Sequence, residues 1–231
     1  MKYMHSEWQR RLDHWLKTLK DDLYLPLGEM ETEGFLTMEQ LSPDEALKGS
    51  FSPMKKGTKW GRTWEYCWLR GKITLPAEAQ GKRIVIDLKT GGEATVFVDG
   101  RSFGTYRAGW VKEPHHFLVD NFLTGCGEAG RSYDILLEAY AGHFFPQSPL
   151  GGCATGPVLP GSYQDPKKEG ERREFKGITY GIWNEDAYQL YMDLDTLRQL
   201  GDQIVPESLR ADKVAQALEE ATIAIDFEQP L

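Results

Sequence analysis

Cysteine is scarce in this chain of 231 residues, which holds three: Cys67, Cys126 and Cys153. They are odd in number, widely spaced and never arranged as CxxC, so the sequence contains neither a disulfide framework nor a zinc-ribbon pattern. Isolated cysteines in globular proteins are most often small buried hydrophobic residues. We therefore interpret all three as structural residues and not as nucleophiles.

Long apolar runs and an excess of positive charge are also missing. No segment approaches the roughly 20 apolar residues of a membrane-spanning helix, and the N-terminus, MKYMHSEWQRRLDHW, has charges where a signal peptide has its apolar core. The net charge is −8, from 27 basic and 35 acidic residues. This balance disfavours binding to nucleic acid or to an anionic membrane, because both require neutralisation of phosphates. We predict a cytoplasmic protein with no nucleic-acid or membrane partner.

Motifs for catalysis and metal binding are missing as well. Only five histidines are present, and His115 and His116 are neighbours on a predicted strand, so they face opposite ways and cannot share a metal ion. There is no HxH, HExxH, HxD or GxSxG motif and no glycine-rich phosphate loop. A pair of carboxylates could hydrolyse a glycoside, but among 35 acidic residues the sequence favours no particular pair. We assign no catalytic residue, metal ligand or cofactor to this chain.

The N-terminal segment has a helical period. Its apolar residues form one stripe of a helix: Trp8, Leu12, Trp15, Leu16 and Leu19. Such a short helix has no core of its own, so we expect it to dock on a larger body. Residues 21–62 are punctuated by proline and glycine, which predicts an extended arm laid over that body.

Strand patterns follow from Trp64 onward. Residues 67–75 alternate between apolar and polar side chains, as a half-buried strand does. Further strands are predicted over residues 82–88, 94–98, 103–106, 116–120 and 133–141. The dipeptide Asp99-Gly100 is a strong hairpin signal. Several short strands separated by frequent turns predict an antiparallel β-sandwich.

The last third of the chain is mixed. Residues 142–172 are rich in proline and glycine and predict a long loop that is functional, covered by a partner, or disordered. Residues 178–183 and 187–194 predict two closing strands, and the residues after 194 predict two helices. The apolar stripe of the last helix runs almost to the C-terminus, so we expect the natural chain to continue beyond it.

One cluster of aromatic residues is a candidate binding surface. Trp60, Trp64, Tyr66 and Trp68 all have even numbers, so an extended chain would place them on one face. They could stack on sugar rings or be covered by another piece of protein, and covering is favoured because large apolar patches are seldom bare. The N-terminal helix, with Trp8 and Trp15, is the candidate cover.

Three segments carry a family resemblance. Residues 57–76 read GTKWGRTWEYCWLRGKITLP, residues 81–100 read GKRIVIDLKTGGEATVFVDG, and residues 184–200 read NEDAYQLYMDLDTLRQL. They resemble the N-terminal region of cytoplasmic-type glycoside hydrolase family 38 α-mannosidases. The resemblance spans about residues 1–225, and the tryptophan motif and the YxDLxxL motif are its most specific parts. Residues 142–172 depart from the usual pattern of that family.

The patterns and the resemblance together imply a mainly β fold: an antiparallel, galactose-binding-like or jelly-roll β-sandwich with an N-terminal helix and C-terminal linker helices. We predict three segments. They are a helix and arm packed on the sandwich over residues 1–62, the sandwich over 63–194, and a helical linker toward a catalytic domain over 195–231.

The resemblance also implies a role. The chain would be the non-catalytic N-terminal domain of an α-mannosidase, partnered by its own catalytic domain in a homo-oligomer. In that family a divalent metal, zinc, is bound by an H-x-D motif of the catalytic domain, and neither that motif nor the aspartate nucleophile corresponds to any residue here. A carbohydrate-binding module, gripping glycan with the aromatic cluster or with residues 142–172, is the alternative function. A self-sufficient enzyme has no positive support.

Overall fold

The computed structural model describes residues 4–62, 64–92, 94–106, 118–142 and 172–224. They fall into two compact units, one within Met1–Leu25 and Trp183–Leu231 and the other within Pro26–Ile182. This division differs from the predicted boundaries at residues 62 and 194. None of the helices in the described ranges is long and apolar enough to span a membrane.

The helices and strands follow one another in this order: α1 (Ser6–Asp22), β1 (Tyr24–Glu29), β2 (Thr32–Thr37), α2 (Pro43–Ala46), β3 (Ser52–Pro53), β4 (Lys59–Trp60), β5 (Tyr66–Thr74), β6 (Ile84–Leu88), β7 (Ala94–Val98), β8 (Arg101–Tyr106), β9 (Phe122–Thr124), β10 (Ser132–Tyr140), β11 (Arg173–Glu174), β12 (Ile178–Trp183), α3 (Glu185–Gln203) and α4 (Leu209–Ala224). Single 3₁₀ turns lie at Ala77–Ala79 and Leu118–Asp120.

The first unit is helical. α1 contacts both α3 and α4, and α3 contacts α4. The predicted apolar stripe of α1 is buried at four of its five positions: Leu12, Trp15, Leu16 and Leu19. The guanidinium of Arg11 donates a hydrogen bond to the backbone oxygen of Thr222 at 3.0 Å, which ties α1 to α4.

The predicted strand over residues 187–194 is wrong, because these residues lie inside α3. Asn184 caps this helix, and its Oδ1 accepts a hydrogen bond from the Ala187 N–H at 3.2 Å. Ala187, Tyr191 and Leu194 are buried at intervals of four and three residues, a helical period. The strand prediction depended on Tyr188, Leu190 and Met192 forming one buried face. These three residues are only half-buried, so the alternation does not mark a buried face.

The second unit is a β-sandwich. Its six-stranded sheet has the order β3-β2-β5-β10-β7-β8 and its four-stranded sheet the order β1-β12-β6-β9. β5 pairs antiparallel with β10 and β2, β7 with β10, and β6 with β12. A two-stranded ribbon of β4 and β11 completes the unit. The predicted mainly β, antiparallel sandwich with helices near both ends is confirmed.

The core of the sandwich is built from alternate residues of strands in both sheets. Its buried members include Leu69 and Ile73 of β5, Ile84, Ile86 and Leu88 of β6, Val96 of β7, Leu137 of β10 and Ile178 of β12. The predicted hairpin is confirmed: Asp99 and Gly100 have φ angles of 49° and 74° and connect β7 to β8. Both central residues of this turn are left-handed, as the twist of a two-residue hairpin favours.

Residues 21–62 do not form the predicted extended arm. They contain β1 to β4 and α2, and β2 pairs with β5 from Thr32 opposite Gly71 to Thr37 opposite Tyr66. The glycines that suggested breaks are partly points of close approach inside the sheet. For example, a Cβ atom on Gly34 would lie 2.8 Å from Leu69 Cδ2 and 3.2 Å from the backbone oxygen of Trp68.

The predicted strand over residues 116–120 is wrong in its described part, because Leu118–Asp120 forms a 3₁₀ turn. Asn121 closes that turn by donating its backbone N–H to the Leu118 oxygen at 2.8 Å, and its side chain donates to the Ile86 oxygen at 3.0 Å. Residues 116 and 117 lie outside the described residues. So does the predicted loop over 142–172, apart from its two end residues.

Candidate functional site

The candidate site is the outward face of the six-stranded sheet. Because side chains alternate along a strand, the residues between the core positions of β5 and β10 point away from the core. The outward pairs, in register order, are Tyr66 with Tyr140, Trp68 with Glu138, Arg70 with Leu136, and Lys72 with Asp134. Aromatic residues thus occupy one end of this face and charged residues the other.

Trp68 is covered although it lies on the outward face. It is 0% exposed and packs with Ala46 and Leu136 in a small cluster separate from the main core. The cover consists of partly buried apolar side chains: Phe35, Leu41, Phe51, Tyr66 and Phe97. The residues between β2 and β3, including α2, therefore supply the protein surface that shields this tryptophan.

Next to this cover is a pocket of about 550 Å³, here named the tyrosine pocket. Its lining residues are Gln40, Tyr66, Ala94, Thr95, Thr105, Glu138, Tyr140 and Arg173. The rings of Tyr66 and Tyr140 stack with centroids 4.8 Å apart and planes inclined by 29°. Partial burial raises the pKa of the Glu138 carboxyl. The pKa of the Tyr66 hydroxyl is also raised, mainly because the side chain is partly buried and to a lesser extent because the negative charge of Glu138 is near.

At the other end of the face is a groove of about 1310 Å³, here named the charged groove. Glu33 Oε2 accepts hydrogen bonds from the guanidinium of Arg70 at 2.8 Å, and Lys72 Nζ lies 3.2 Å from Asp134 Oδ1. The Arg70 guanidinium also lies 4.1 Å from the centre of the Phe51 ring. Because these charges neutralise one another within the groove, its surface suits a polar protein contact more than a charged small ligand.

The tryptophan motif shapes a turn at the edge of the sandwich. Trp60 is 1% exposed in the main core, and its indole N–H donates to the Thr90 oxygen at 2.8 Å. Gly61 and Trp64 have positive φ angles of 96° and 71°. The buried Glu65 carboxylate accepts hydrogen bonds from the backbone N–H groups of Gly61 and Arg62. A turn with two left-handed residues is strained for tryptophan, and the carboxylate offsets that strain by binding its N–H groups.

The four predicted aromatic residues do not share one extended face. Trp60 points into the inter-sheet core, Trp64 lies in the turn, and Tyr66 and Trp68 lie on the outward face of β5. The left-handed backbone at Trp64 breaks the alternation on which the prediction depended. Burial leaves neither Trp60 nor Trp68 an open ring face for a sugar. Tyr66 lines the tyrosine pocket, where its ring stacks on that of Tyr140.

Sequence reasoning missed Tyr140 and Glu138 as site residues. The alternation within residues 133–141 already placed them opposite the core positions. Only the register of β10 against β5 shows that they meet Tyr66 and Trp68. Residue pairing across strands is not encoded in the spacing of one strand, so this part of the site could not be found from the sequence.

The described part of the chain assembles no metal-binding group. Over those residues no group of three or more His, Cys, Asp or Glu side chains is placed to hold a metal ion. Burial, and then the charge of Glu65, raises the pKa of the Cys67 thiol to about 12, so the thiol stays protonated. His5 caps α1 by accepting from the Glu7 N–H. His115, His116 and His143 lie outside the described residues.

A family model described as "Alpha-mannosidase, jelly roll domain" matches residues 26–143. This range covers half of the chain and contains β2 to β10. The chain belongs to the α-mannosidase jelly roll domain family. The resemblance found in the sequence is thereby confirmed.

Relatives of this α-mannosidase jelly roll chain include alpha-mannosidase 2C1 of Mus musculus and of Homo sapiens. Each is 24% identical, over 197 and 198 residues respectively, which is 85% of this chain and 17% of the relative. The chain thus spans about a sixth of the length of the curated relatives that it matches.

Among solved structures, β-glucuronidase from Ruminococcus gnavus matches with a TM-score of 0.43 and 12% identity, over 71% of this chain and 30% of that one. Faecalibacterium prausnitzii β-glucuronidase matches with a TM-score of 0.39 and 14% identity, over 71% of this chain and 32% of that one.

Proposed function

We propose that this chain is the non-catalytic N-terminal domain of an α-mannosidase, and that it docks on and supports a catalytic domain. The observation that carries the proposal is the match of residues 26–143 to the α-mannosidase jelly roll family. In addition, the chain covers only 17% of the length of its α-mannosidase relatives. A region of that size, in whose described residues no group of His, Cys, Asp or Glu side chains is placed to hold a metal ion, suits a supporting role. Cytoplasmic location, assembly as a homo-oligomer and a zinc ion held by the catalytic domain belong to the same proposal.

The helical unit offers a surface for such docking. Three large apolar side chains are strongly exposed there: Val205 at 71%, Leu209 at 72% and Ile223 at 63%. Val205 lies in the short connection between α3 and α4, and Leu209 is the first residue of α4. Exposed apolar side chains favour burial against another protein surface. In the proposal, the catalytic domain covers them.

The test uses the complete product of the gene. Its α-mannosidase activity is measured with an aryl α-mannoside, and the half-life of that activity is followed at raised temperature. The double variant Val205→Asp with Leu209→Asp introduces two charges into the docking surface. We expect the N-terminal domain to dissociate from the catalytic domain more readily, so the half-life of the activity falls several-fold. The matched control is Ala217→Asp, which places the same charge on an exposed position of α4 and leaves the half-life unchanged.

Two results would count against the proposal. A complete gene product without α-mannosidase activity would remove the function. If the half-life of the double variant equals that of the control, Val205 and Leu209 do not form the docking surface.

A further inference from the structure

The tyrosine pocket combines an apolar wall of two tyrosine rings with several polar side chains. Its volume of about 550 Å³ is within the range of about 300–1,000 Å³ that small-molecule sites occupy. All of its described lining residues belong to the sandwich unit. It shares no described residue with the docking surface proposed above, and its proposed ligand does not depend on the α-mannosidase proposal.

Glu138 is the central polar group of the pocket. It lies in the middle of β10, between Trp68 of β5 and Thr95 of β7. Within the described ranges, its half-buried carboxylate has no hydrogen bond or ion pair. A carboxylate that is partly removed from water without a donor is unfavourable, and a ligand that brings hydroxyl donors relieves that cost.

The stacked rings of Tyr66 and Tyr140 form an apolar wall beside this carboxylate. Thr95, Thr105 and Gln40 add hydroxyl and amide groups around it. One apolar surface with several single hydrogen-bonding groups matches a molecule that has C–H groups on one face and hydroxyls on its edge. Tyrosine rings suit such a molecule, because they combine an apolar body with a polar tip.

The two charged residues that line the pocket, Glu138 and Arg173, favour a neutral ligand over a charged one. Arg173 lines the same pocket, so a cationic ligand attracted by Glu138 is also repelled. The guanidinium of Arg173 is already engaged, since Nη1 donates to the Gly91 oxygen and Nη2 to the Ala141 oxygen at 2.9 Å. Two of its five N–H donors are thereby occupied, and an anionic ligand attracted by the others is repelled by Glu138. A neutral ligand with several hydroxyl groups remains.

We propose that Tyr66, Tyr140 and Glu138 form a binding pocket for the ring of a neutral monosaccharide. The sugar ring stacks its C–H face on the tyrosine wall, and two adjacent hydroxyl groups donate to the Glu138 carboxylate. The Thr95 hydroxyl supplies a further hydrogen bond from the neighbouring strand. The pocket binds and does not turn over the sugar.

The test is a calorimetric titration of this chain with the methyl α-pyranosides of mannose, glucose and galactose. For a ligand of about a dozen heavy atoms we expect a Kd of about 1–10 mM for at least one of them. Glu138→Gln removes the charge but keeps the shape, and weakens that binding about ten-fold or more. The matched control is Asp134→Asn, on the same strand and face but in the charged groove, which leaves binding unchanged.

A second variant guards against indirect effects. Thr95→Val removes one hydroxyl with little change of shape and weakens binding about three-fold or more. Thermal unfolding checks that all variants fold. The proposal is overturned if no pyranoside binds up to about 50 mM, or if Glu138→Gln binds as tightly as the unaltered chain.

Discussion

The carboxylate of Glu65 accepts a hydrogen bond from the backbone N–H of Gly61 at 2.7 Å and another from that of Arg62 at 3.0 Å. One acidic side chain thus closes the turn that separates Trp60, in the core, from Tyr66, on the outward face. The family motif around these residues therefore has a structural explanation, since it fixes where β5 begins and which way its side chains point.

Replacing Glu65 tests the role of this turn. Glu65→Ala removes the oxygen that accepts both hydrogen bonds and leaves two backbone donors without an acceptor, so we expect a loss of about 2–3 kcal/mol in the free energy of unfolding. Glu65→Gln retains one acceptor oxygen and loses less. Urea denaturation measures both, with Glu39→Ala, at an exposed position, as a control that changes stability by less than about 0.5 kcal/mol. Equal stability of Glu65→Ala and Glu39→Ala would show that the turn closes without the carboxylate.

Gly127 tests the close packing at the edge of the four-stranded sheet. A Cβ atom there would lie 2.2 Å from the backbone oxygen of Ala79, whereas on Gly125 the nearest atom would be Phe122 Cε2 at 3.6 Å. Gly127→Ala must displace backbone and is expected to destabilise by about 2 kcal/mol or more, because overpacking costs about 1–3 kcal/mol. Gly125→Ala, in the same loop, should be within about 0.5 kcal/mol of the unaltered chain. If the two variants have the same urea midpoint of unfolding, Gly127 does not pack closely against the backbone of Ala79.

Trp68 tests the cover formed by residues 35–51. Trp68→Ala empties a fully buried site, so it should cost about 3–5 kcal/mol and lower the unfolding temperature by many degrees. Leu36→Ala, at a neighbouring position that is 42% exposed, should cost less than about 1 kcal/mol. Differential scanning calorimetry compares the two. A Trp68→Ala chain of undiminished stability would mean that this indole is open to solvent.

The two described cysteines should differ in reactivity. Cys67 is buried with a pKa of about 12, whereas Cys126 is exposed. At pH 8 iodoacetamide should therefore label Cys126 and leave Cys67 unmodified until the chain unfolds. Peptide mapping by mass spectrometry reads the result, and Cys126→Ser removes the fast site. Labelling of both thiols at similar rates in the folded chain would contradict the burial of Cys67.

The same thiol links stability to alkaline pH. Its folded pKa of about 12 lies above the reference value of 9.0, so the folded state keeps the proton longer than the unfolded state does. The contribution to stability is complete below pH 9 and is lost as the pH rises from 9 toward 12. In Cys67→Ala the free energy of unfolding should fall less steeply with pH between 9 and 12. An unchanged slope in that variant would show that other groups cause the pH dependence.

How far the sequence predicts this molecule depends on which interactions decide each element. β5, β7 and β10 were predictable because each alternates along one strand, and Asp99-Gly100 fixed a hairpin through local backbone preference. Residues 187–194 were mispredicted because alternation and helical period coexist there, and packing against α1 favours the helix. The division of Trp60 from Trp68 depends on the left-handed φ of Trp64, which no propensity of tryptophan suggests.

The candidate site follows the same rule. Tyr66 was within reach of sequence reasoning because it belongs to an aromatic cluster in one strand. Tyr140 and Glu138 join it only through the pairing of β10 with β5, which brings together residues 70 to 74 positions apart in the chain. Register of this kind is set by tertiary packing, so the tyrosine pocket required the structure.

Hydrolysis of an aryl α-mannoside by two purified proteins, this chain and the complete product of its gene, is the decisive comparison. We expect turnover by the complete product and none by the chain alone, and we expect deletion of residues 1–231 from the product to impair the activity or its heat stability. Turnover by the chain alone that scales with its purity, or a complete product without α-mannosidase activity, would show that this chain is not the supporting domain of an α-mannosidase.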